Sequence, residues 1–313
     1  MLTIVETNTI GQINTRQKES SPLVSSVYYE NSTGNTYGLF ISGNYAYVAG
    51  PSLNIFDISD PTDPGVPVSV YTSGLAHGVY VSGDYAYVAD HSSGLAVIDI
   101  SAPTSPGSAI HENTDGYSFG IDVKGDYAYI ADYSSGLAVI DISNPTSPGT
   151  PVYEGTTGSA IDVFVSGDYA YVADGSSGLA VIDISDPTNP GTPVYETTSG
   201  IATGVFVSGD YAYVADDAYG LAVIDISNPT SPGTPVYEDT TGYAQAVYVD
   251  GDYAYVADDT AGLAIIDVSD PTDPELLYYE DTLGEATDVQ ICGNYAYVAD
   301  YNQGLAVIDI AVS

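Results

Sequence analysis

Three aspartates stand out as groups that could do chemistry: Asp122, Asp162 and Asp288. In a motif that recurs along the chain, Asp122 stands where other copies carry Phe or Tyr, as Gln290 also does. Asp162 and Asp288 stand where most copies carry Gly. Carboxylates gathered in a channel could hold calcium, which takes oxygen ligands. They could also serve as the acid and base of a hydrolase or lyase. Three histidines, His77, His91 and His111, fall within one copy, and a zinc site would need their rings to converge. Five tyrosines, Tyr117, Tyr133, Tyr219, Tyr243 and Tyr301, lie in segments that differ from copy to copy. There a ring can stack on a sugar or pack on a protein.

Other chemistry is poorly supported. The chain contains no nucleophile elbow, phosphate-binding loop, zinc-ligand spacing, dinucleotide fingerprint or EF-hand pattern. It carries 42 acids against 3 Lys and Arg, a formal charge of −39. Residues 1–21 hold Glu6, Glu19, Arg16 and Lys18 and are neutral, so the whole charge lies on residues 22–313, where Lys124 is the only Lys or Arg. Such a surface repels nucleic acid and anionic lipid. It suits calcium, cationic partners or a saline exterior. The chain has no apolar run long enough for a membrane helix, and its start, MLTIVETNTIGQINTRQKESS, shows no signal peptide. The single Cys292 excludes an intramolecular disulfide.

The elements that must position these residues are repeats. The string YAYVA or YAYIA begins at Tyr45, Tyr85, Tyr127, Tyr169, Tyr211, Tyr253 and Tyr295, spaced 40 once and then 42. That is the period of a four-stranded propeller blade. The copy near residue 200 predicts strand A over Thr203–Ser208, a turn at Gly209 and Asp210, strand B over Tyr211–Ala215 and strand C over Leu221–Ser227. The proline-rich connection from Asn228 to Gly233 excludes helix, and strand D follows over Thr234–Glu238, with Pro235 marking an edge strand. Apolar alternation and β-branched residues replace any helical period.

Strands A, B and C occur seven times, but the last copy ends at Ser313 without strand D. The segment Leu23–Glu30 resembles a D strand with no A, B and C before it. The reading is an all-β, seven-bladed β-propeller with four antiparallel strands per blade, closed by an N-terminal strand that completes the last blade. Residues 22–313 form this propeller and residues 1–21 a tail outside it. Strand A then lines the channel, so Asp122 and Asp162, in adjoining blades, are expected to face one another.

Groups present in every copy point to architecture. Asp57, Asp99, Asp141, Asp183, Asp225, Asp267 and Asp309 end strand C and are expected to accept N–H groups of the following turn. Asp90, Asp132, Asp174, Asp216, Asp258 and Asp300 open the B–C loop, where an Asx turn is again expected. Departures from the repeat gather in the B–C and D–A loops at one end of the propeller, and loops on a rigid scaffold are where binding concentrates. His77, His91, Tyr117, Tyr133, Tyr219, Tyr243 and Tyr301 all belong to that end. Strands A and D lie roughly 14 Å apart across a blade, so His77 and His111 are not expected to share a metal.

The recurring GLAVIDIS, with GDYAYVAD before it and SxPTxPG after it, resembles the LVIVD-repeat propellers over residues 23–313. The resemblance implies the propeller fold and a place among bacterial and archaeal extracellular or cell-surface proteins. It implies no catalytic residues. The function expected is a non-enzymatic interaction scaffold, extracellular or at the cell surface, binding a protein or glycan through its variable loop face. No cofactor is expected, calcium being the one candidate, and neither nucleic acid nor membrane insertion is. One alternative is a structural subunit that assembles with further copies of itself through its N-terminal strand. Another is a hydrolase or lyase using the channel acids.

Overall fold

The alternation within YAYVA places Tyr and Ala on opposite faces of neighbouring positions, and the tertiary structure uses both faces. In the computed structural model, which describes residues 27–32 and 34–310, strands B and C of each blade are sandwiched between two neighbours. In the fifth blade Tyr213, Ala215, Leu221 and Val223 pack on Val247, Ala254, Val256 and Ile266 of the sixth. Its other face, Ala212, Val214, Ala222 and Ile224, receives Tyr171, Leu179 and Val181 of the fourth. A large-residue face therefore meets a small-residue face at each junction. Each fully buried Leu or Val contributes about 1.5–3 kcal/mol.

Seven four-stranded antiparallel sheets result. The fifth blade contains Gly204–Ser208, Tyr211–Ala215, Leu221–Asp225 and Val236–Glu238, in the spatial order A-B-C-D. Its strands are shorter than expected at three ends, for local reasons. Thr203 lies just outside strand A. Asp225 accepts the Ser227 N–H at 2.8 Å, which turns the chain out of strand C, and Pro235 stays outside strand D. The same aspartate-to-serine bond, at 2.9 Å, follows Asp57, Asp99, Asp141, Asp183 and Asp267, as expected. The turn after Asp309 lies outside the described residues.

The seventh blade is assembled from both ends of the chain. Val27–Glu30 pairs antiparallel with Leu305–Asp309, placing Val27 opposite Ile308 and Glu30 opposite Leu305. Its sheet therefore runs from the N-terminal strand through C and B to the A strand Asp288–Cys292. The predicted closing segment begins at Leu23, and residues 23–26 lie outside the described residues, as does the tail of residues 1–21.

One expectation is corrected. The aspartates that open the B–C loops do not form Asx turns. They are fully buried and reach back into the D–A loop, 16 to 18 residues earlier. Asp174 accepts Thr156 Oγ1 at 2.6 Å and the Gly158 N–H at 2.8 Å, and Asp216, Asp258 and Asp300 repeat the pattern. A buried carboxylate needs partners, and the nearby loop amide of Ser177 is already bonded to the Asp174 carbonyl. This bond ties the two loop types of the variable end into one rim.

Candidate binding site at the channel mouth

Seven residues immediately precede the first inward position of the seven A strands: Tyr37, His77, Phe119, Ile161, Thr203, Gln245 and Thr287. Each donates its backbone N–H to the alanine ending strand B of its own blade, at 2.8–3.0 Å. That shared bond places all seven at the same height, where they line a cavity of about 350 Å³ at the variable end of the channel. Three consecutive members are aromatic and the rest are not.

The loops above extend the aromatic side. Tyr37 lies 4.5 Å from His77 and 5.8 Å from Tyr301, between ring centroids. His77 is 4.6 Å from Phe119 and 5.4 Å from His91. His91 stacks on Tyr117 at 4.3 Å, nearly parallel. Tyr133 closes the series at 5.5 Å from Phe119 and 6.4 Å from Tyr117. A continuous arc of Tyr301, Tyr37, His77, Phe119, His91, Tyr117 and Tyr133 thus spans the tops of blades seven, one, two and three. Tyr117 and Tyr133 remain 48% and 38% exposed, so the arc faces solvent at one end.

Backbone geometry singles out the same arc. The residue after each buried loop aspartate has positive φ: His91 at 47°, Tyr133 at 49°, Gly175 at 56°, Asp217 at 52°, Asp259 at 53° and Tyr301 at 36°. Gly and Asp occupy this region at low cost, whereas a bulky side chain there is strained by about 1–3 kcal/mol. Two-way backbone bonds to the D–A loop hold the position, such as Tyr133 with Ala160 at 3.0 Å. The two strained tyrosines, Tyr133 and Tyr301, both belong to the arc.

His77, His91, Tyr117, Tyr133 and Tyr301 are therefore brought together, as the variable end predicts. Tyr219 and Tyr243 are not. Tyr219 pairs with Tyr237 of its own blade at 6.5 Å, and Tyr243 is exposed beside Gln245, away from the arc. Tyr37 and Phe119 were missed. Their signal was the column Tyr, His, Phe, Ile, Thr, Gln, Thr, which changes at every copy although its neighbours barely do. His111 stands apart, in strand D, where other blades carry Tyr153, Tyr195, Tyr237 and Tyr279. Those hydroxyls accept a D–A loop N–H at 2.7–3.0 Å, while His111 Nε2 meets the Thr72 carbonyl at 2.6 Å.

The channel aspartates do not converge face to face as expected of Asp122 and Asp162. Each turns sideways and clamps the next blade. Asp122 accepts the Val165 N–H at 2.7 Å, Asp162 that of Val205 at 3.0 Å and Asp288 that of Leu39 at 2.7 Å. A second oxygen of Asp122 and of Asp288 accepts the N–H of the following residue. The reason is the unpaired inner edge of each A strand, whose amides need acceptors that a carboxylate supplies. Burial raises all three acids, Asp122 and Asp162 to about 6 and Asp288 to about 7, with mutual repulsion adding to Asp162 and Asp288. Among the described residues, no three His, Cys, Asp or Glu side chains come close enough together to hold a metal ion.

The LVIVD repeat profile matches seven times, over residues 33–72, 73–114, 115–150, 157–193, 199–235, 241–282 and 283–313. The chain belongs to the LVIVD-repeat family. No curated protein matches this LVIVD propeller. Among solved structures it is similar to the RRP9 WD40 repeats, at 11% identity and a TM-score of 0.75, covering 93% of this chain and 99% of that one. It is also similar to U3-55K, at 10% identity and a TM-score of 0.75, covering 90% and 98%. The computationally designed Ika8 protein matches at 10% identity and a TM-score of 0.66, again covering 90% and 98%. At such identities the likeness concerns the fold alone. Among the described residues, no helix of the LVIVD propeller is long and apolar enough to cross a membrane.

Proposed function

We propose that this LVIVD propeller is a non-enzymatic interaction scaffold, working outside the cell or at its surface, which holds a partner protein on the aromatic arc of its variable loop face. The observation that carries the reading is the coincidence of three departures from the repeat. The aromatic members of the changing column, the strained loop tyrosines and the exposed rings of Tyr117 and Tyr133 fall on the same side of one end, with exposed Tyr219 and Tyr243 apart from them. Relaxed constraint alone would scatter them around all seven blades. Tyrosine and other aromatic residues are enriched at protein interfaces, and the chain contains no Trp, the ring most suited to sugar stacking.

Two further features support the non-enzymatic part. The channel acids are engaged by backbone amides, and His111, 3.6 Å from Asp90, is bonded to a carbonyl. The charge of −39 with few Lys and Arg suits a saline exterior, as does the family resemblance.

The test uses replacements already present at equivalent positions of sibling blades, so folding is preserved. His77→Thr, His91→Asp and Phe119→Thr together remove the middle of the arc. A displayed random peptide library is selected on the wild-type protein and rechallenged with the triple variant. Selected clones are expected to lose at least about tenfold in affinity. Clones that bind both proteins equally would place recognition elsewhere.

A further inference from the structure

The cavity at the channel mouth has two unlike walls. His77 and Phe119 line one side. Thr203, Gln245 and Thr287 form the other, with Asp162 and Asp288 lining the same cavity. Hydrogen-bond capacity decides what such a cavity accepts. The backbone N–H groups of all seven rim residues are bonded to strand B carbonyls. The Thr203 hydroxyl donates to Ala244 O at 2.8 Å, and the Thr287 hydroxyl to Ala299 O at 3.0 Å and Thr36 O at 3.1 Å. The Gln245 amide donates to Tyr243 O at 3.3 Å. The polar wall therefore has most of its donors engaged, one Gln245 N–H excepted, while hydroxyl lone pairs, the Gln245 carbonyl and the Asp162 and Asp288 oxygens supply acceptors.

A ligand with acceptors alone, such as an anion, finds little to bind it. A ligand rich in donors finds acceptors on one side and aromatic rings on the other. Among the described residues no Lys or Arg lies at this end. Lys124, the only Lys or Arg of residues 22–313, sits at an A–B turn on the opposite end, bonded to Gly167 O. Burial, with repulsion from His91, lowers His77 to about 4, so its ring is neutral. The net charge draws cations toward the molecule from a distance.

We infer that the channel mouth takes one cationic side chain of the partner, a lysine ammonium or an arginine guanidinium, against the rings of His77 and Phe119 and within reach of the Asp162 and Asp288 carboxylates. The inference rests on the reading of the rim as the binding face and specifies what that face selects. Cation–π attraction supplies the aromatic side of the contact, and it strengthens as water is excluded. The rest of the arc, through Tyr117 and Tyr133, packs on the chain that carries the side chain.

The probe is the blocked tripeptide Gly-Lys-Gly, with Gly-norleucine-Gly as its neutral counterpart and maltotriose as a sugar. Binding is read from the imidazole proton resonances. His111 is assigned with His111→Tyr, the residue of sibling blades, and serves as the internal control. The lysine peptide is expected to shift the His77 and His91 resonances saturably, with Kd on the order of 1 mM, and to leave His111 unmoved. Phe119→Thr and Asp162→Gly, both sibling residues, are each expected to weaken it by at least about fivefold. No saturable shift, an equal response to norleucine, or a response to maltotriose alone would overturn the inference. Peptides selected in the display experiment separate the two failures. Rim-dependent clones without a shared Lys or Arg leave the binding face standing and remove the cation. Clones indifferent to the rim remove both.

Discussion

The Asp288 carboxylate accepts the Leu39 N–H at 2.7 Å, across the seam where the last repeat meets the first. Two positions along, Gln290 Oε1 accepts the Ile41 N–H at 2.9 Å. The closing junction thus carries two side-chain bonds on the channel side, where the junctions from blade three to four and from four to five carry one each. The chain also crosses this junction, running from Glu30 of blade seven to Gly38–Ser42 of blade one, so the two bonds reinforce a covalent connection, and the noncovalent closure lies within blade seven, between Leu305–Asp309 and Val27–Glu30. Replacing Gln290 by Phe, the residue at positions 40, 164 and 206, removes one bond while keeping the channel filled. It is expected to lower stability by about 1–2 kcal/mol. The same replacement at Asp122 removes the single channel-side bond from blade three to blade four. Hydrogen exchange of the Ile41 and Val165 amides in Gln290→Phe and Asp122→Phe distinguishes the two junctions.

The channel acids make stability fall as pH rises. Burial raises Asp288 to about 7 and Asp122 and Asp162 to about 6 in the folded state. The folded protein therefore binds more protons than the unfolded chain between about pH 4 and pH 7, and the slope of stability with pH is negative across that window. General repulsion among the surface acids acts in the same direction. Asp288→Asn separates them, because the amide still accepts the Leu39 N–H but no longer titrates. Thermal midpoints from about pH 4.5 to 8 should fall less steeply in Asp288→Asn than in wild type. Parallel curves would mean that Asp288 titrates normally.

Strain at Tyr133 gives a trade between stability and binding. Its φ of 49° suits the Gly175, Asp217 and Asp259 of other blades better than an aromatic residue. Tyr133→Gly is expected to leave stability unchanged or raise it by up to about 1 kcal/mol, although it deletes a ring. The nearby Tyr129, buried in the core, should lose about 3–5 kcal/mol on replacement by Ala. Partner binding should fall in Tyr133→Gly. Urea unfolding of both variants, beside the binding assay, checks the contrast.

The second blade has a looser loop anchor than its siblings. Thr240 Oγ1 donates to Asp258 at 2.6 Å in the sixth blade, whereas Thr72 Oγ1 and Asp90 Oδ1 have no partner within hydrogen-bonding distance. Thr240→Val strands a buried carboxylate oxygen and is expected to cost about 1–3 kcal/mol. Thr72→Val should cost markedly less, because little is lost. Equal costs, measured by chemical unfolding, would show that the second-blade pair bonds in solution.

The propeller and its closure were legible because the repeat is nearly exact and each blade solves the same packing problem. Counting A, B, C and D strands sufficed to place Val27–Glu30 in the last blade. The site was legible only in part, because sequence reasoning followed loops and gave little weight to the residue just before each A strand. Tyr37 and Phe119 look like ordinary strand residues in isolation and matter because the ring of blades brings them beside His77 and Tyr133. The channel acids misled for the same reason. Asp122 and Asp162 are neighbours in blade order, but each answers the unpaired amides of the next strand before it can answer the other.

Removing residues 22–30 tests how far closure depends on the N-terminal strand. Val27–Glu30 covers the outer edge of Leu305–Asp309, and Val27 and Tyr29 pack against the junction of blades six and seven. Tyr29 also accepts the Leu283 N–H at 2.9 Å, the bond that strand D tyrosines make in other blades. Without this strand the Asp288 and Gln290 bonds still hold the seam from inside, so the truncated chain is expected to fold. Its melting midpoint should drop by at least about 5 °C, more than for any single substitution at the seam. The bared edge should also recruit another chain, since an exposed strand is a template for pairing. Light scattering after gel filtration should then show association that grows with concentration, and a synthetic peptide of residues 22–32 should reverse both effects. A monomer with an unchanged midpoint would mean that the ring closes through its channel-side bonds and packing alone.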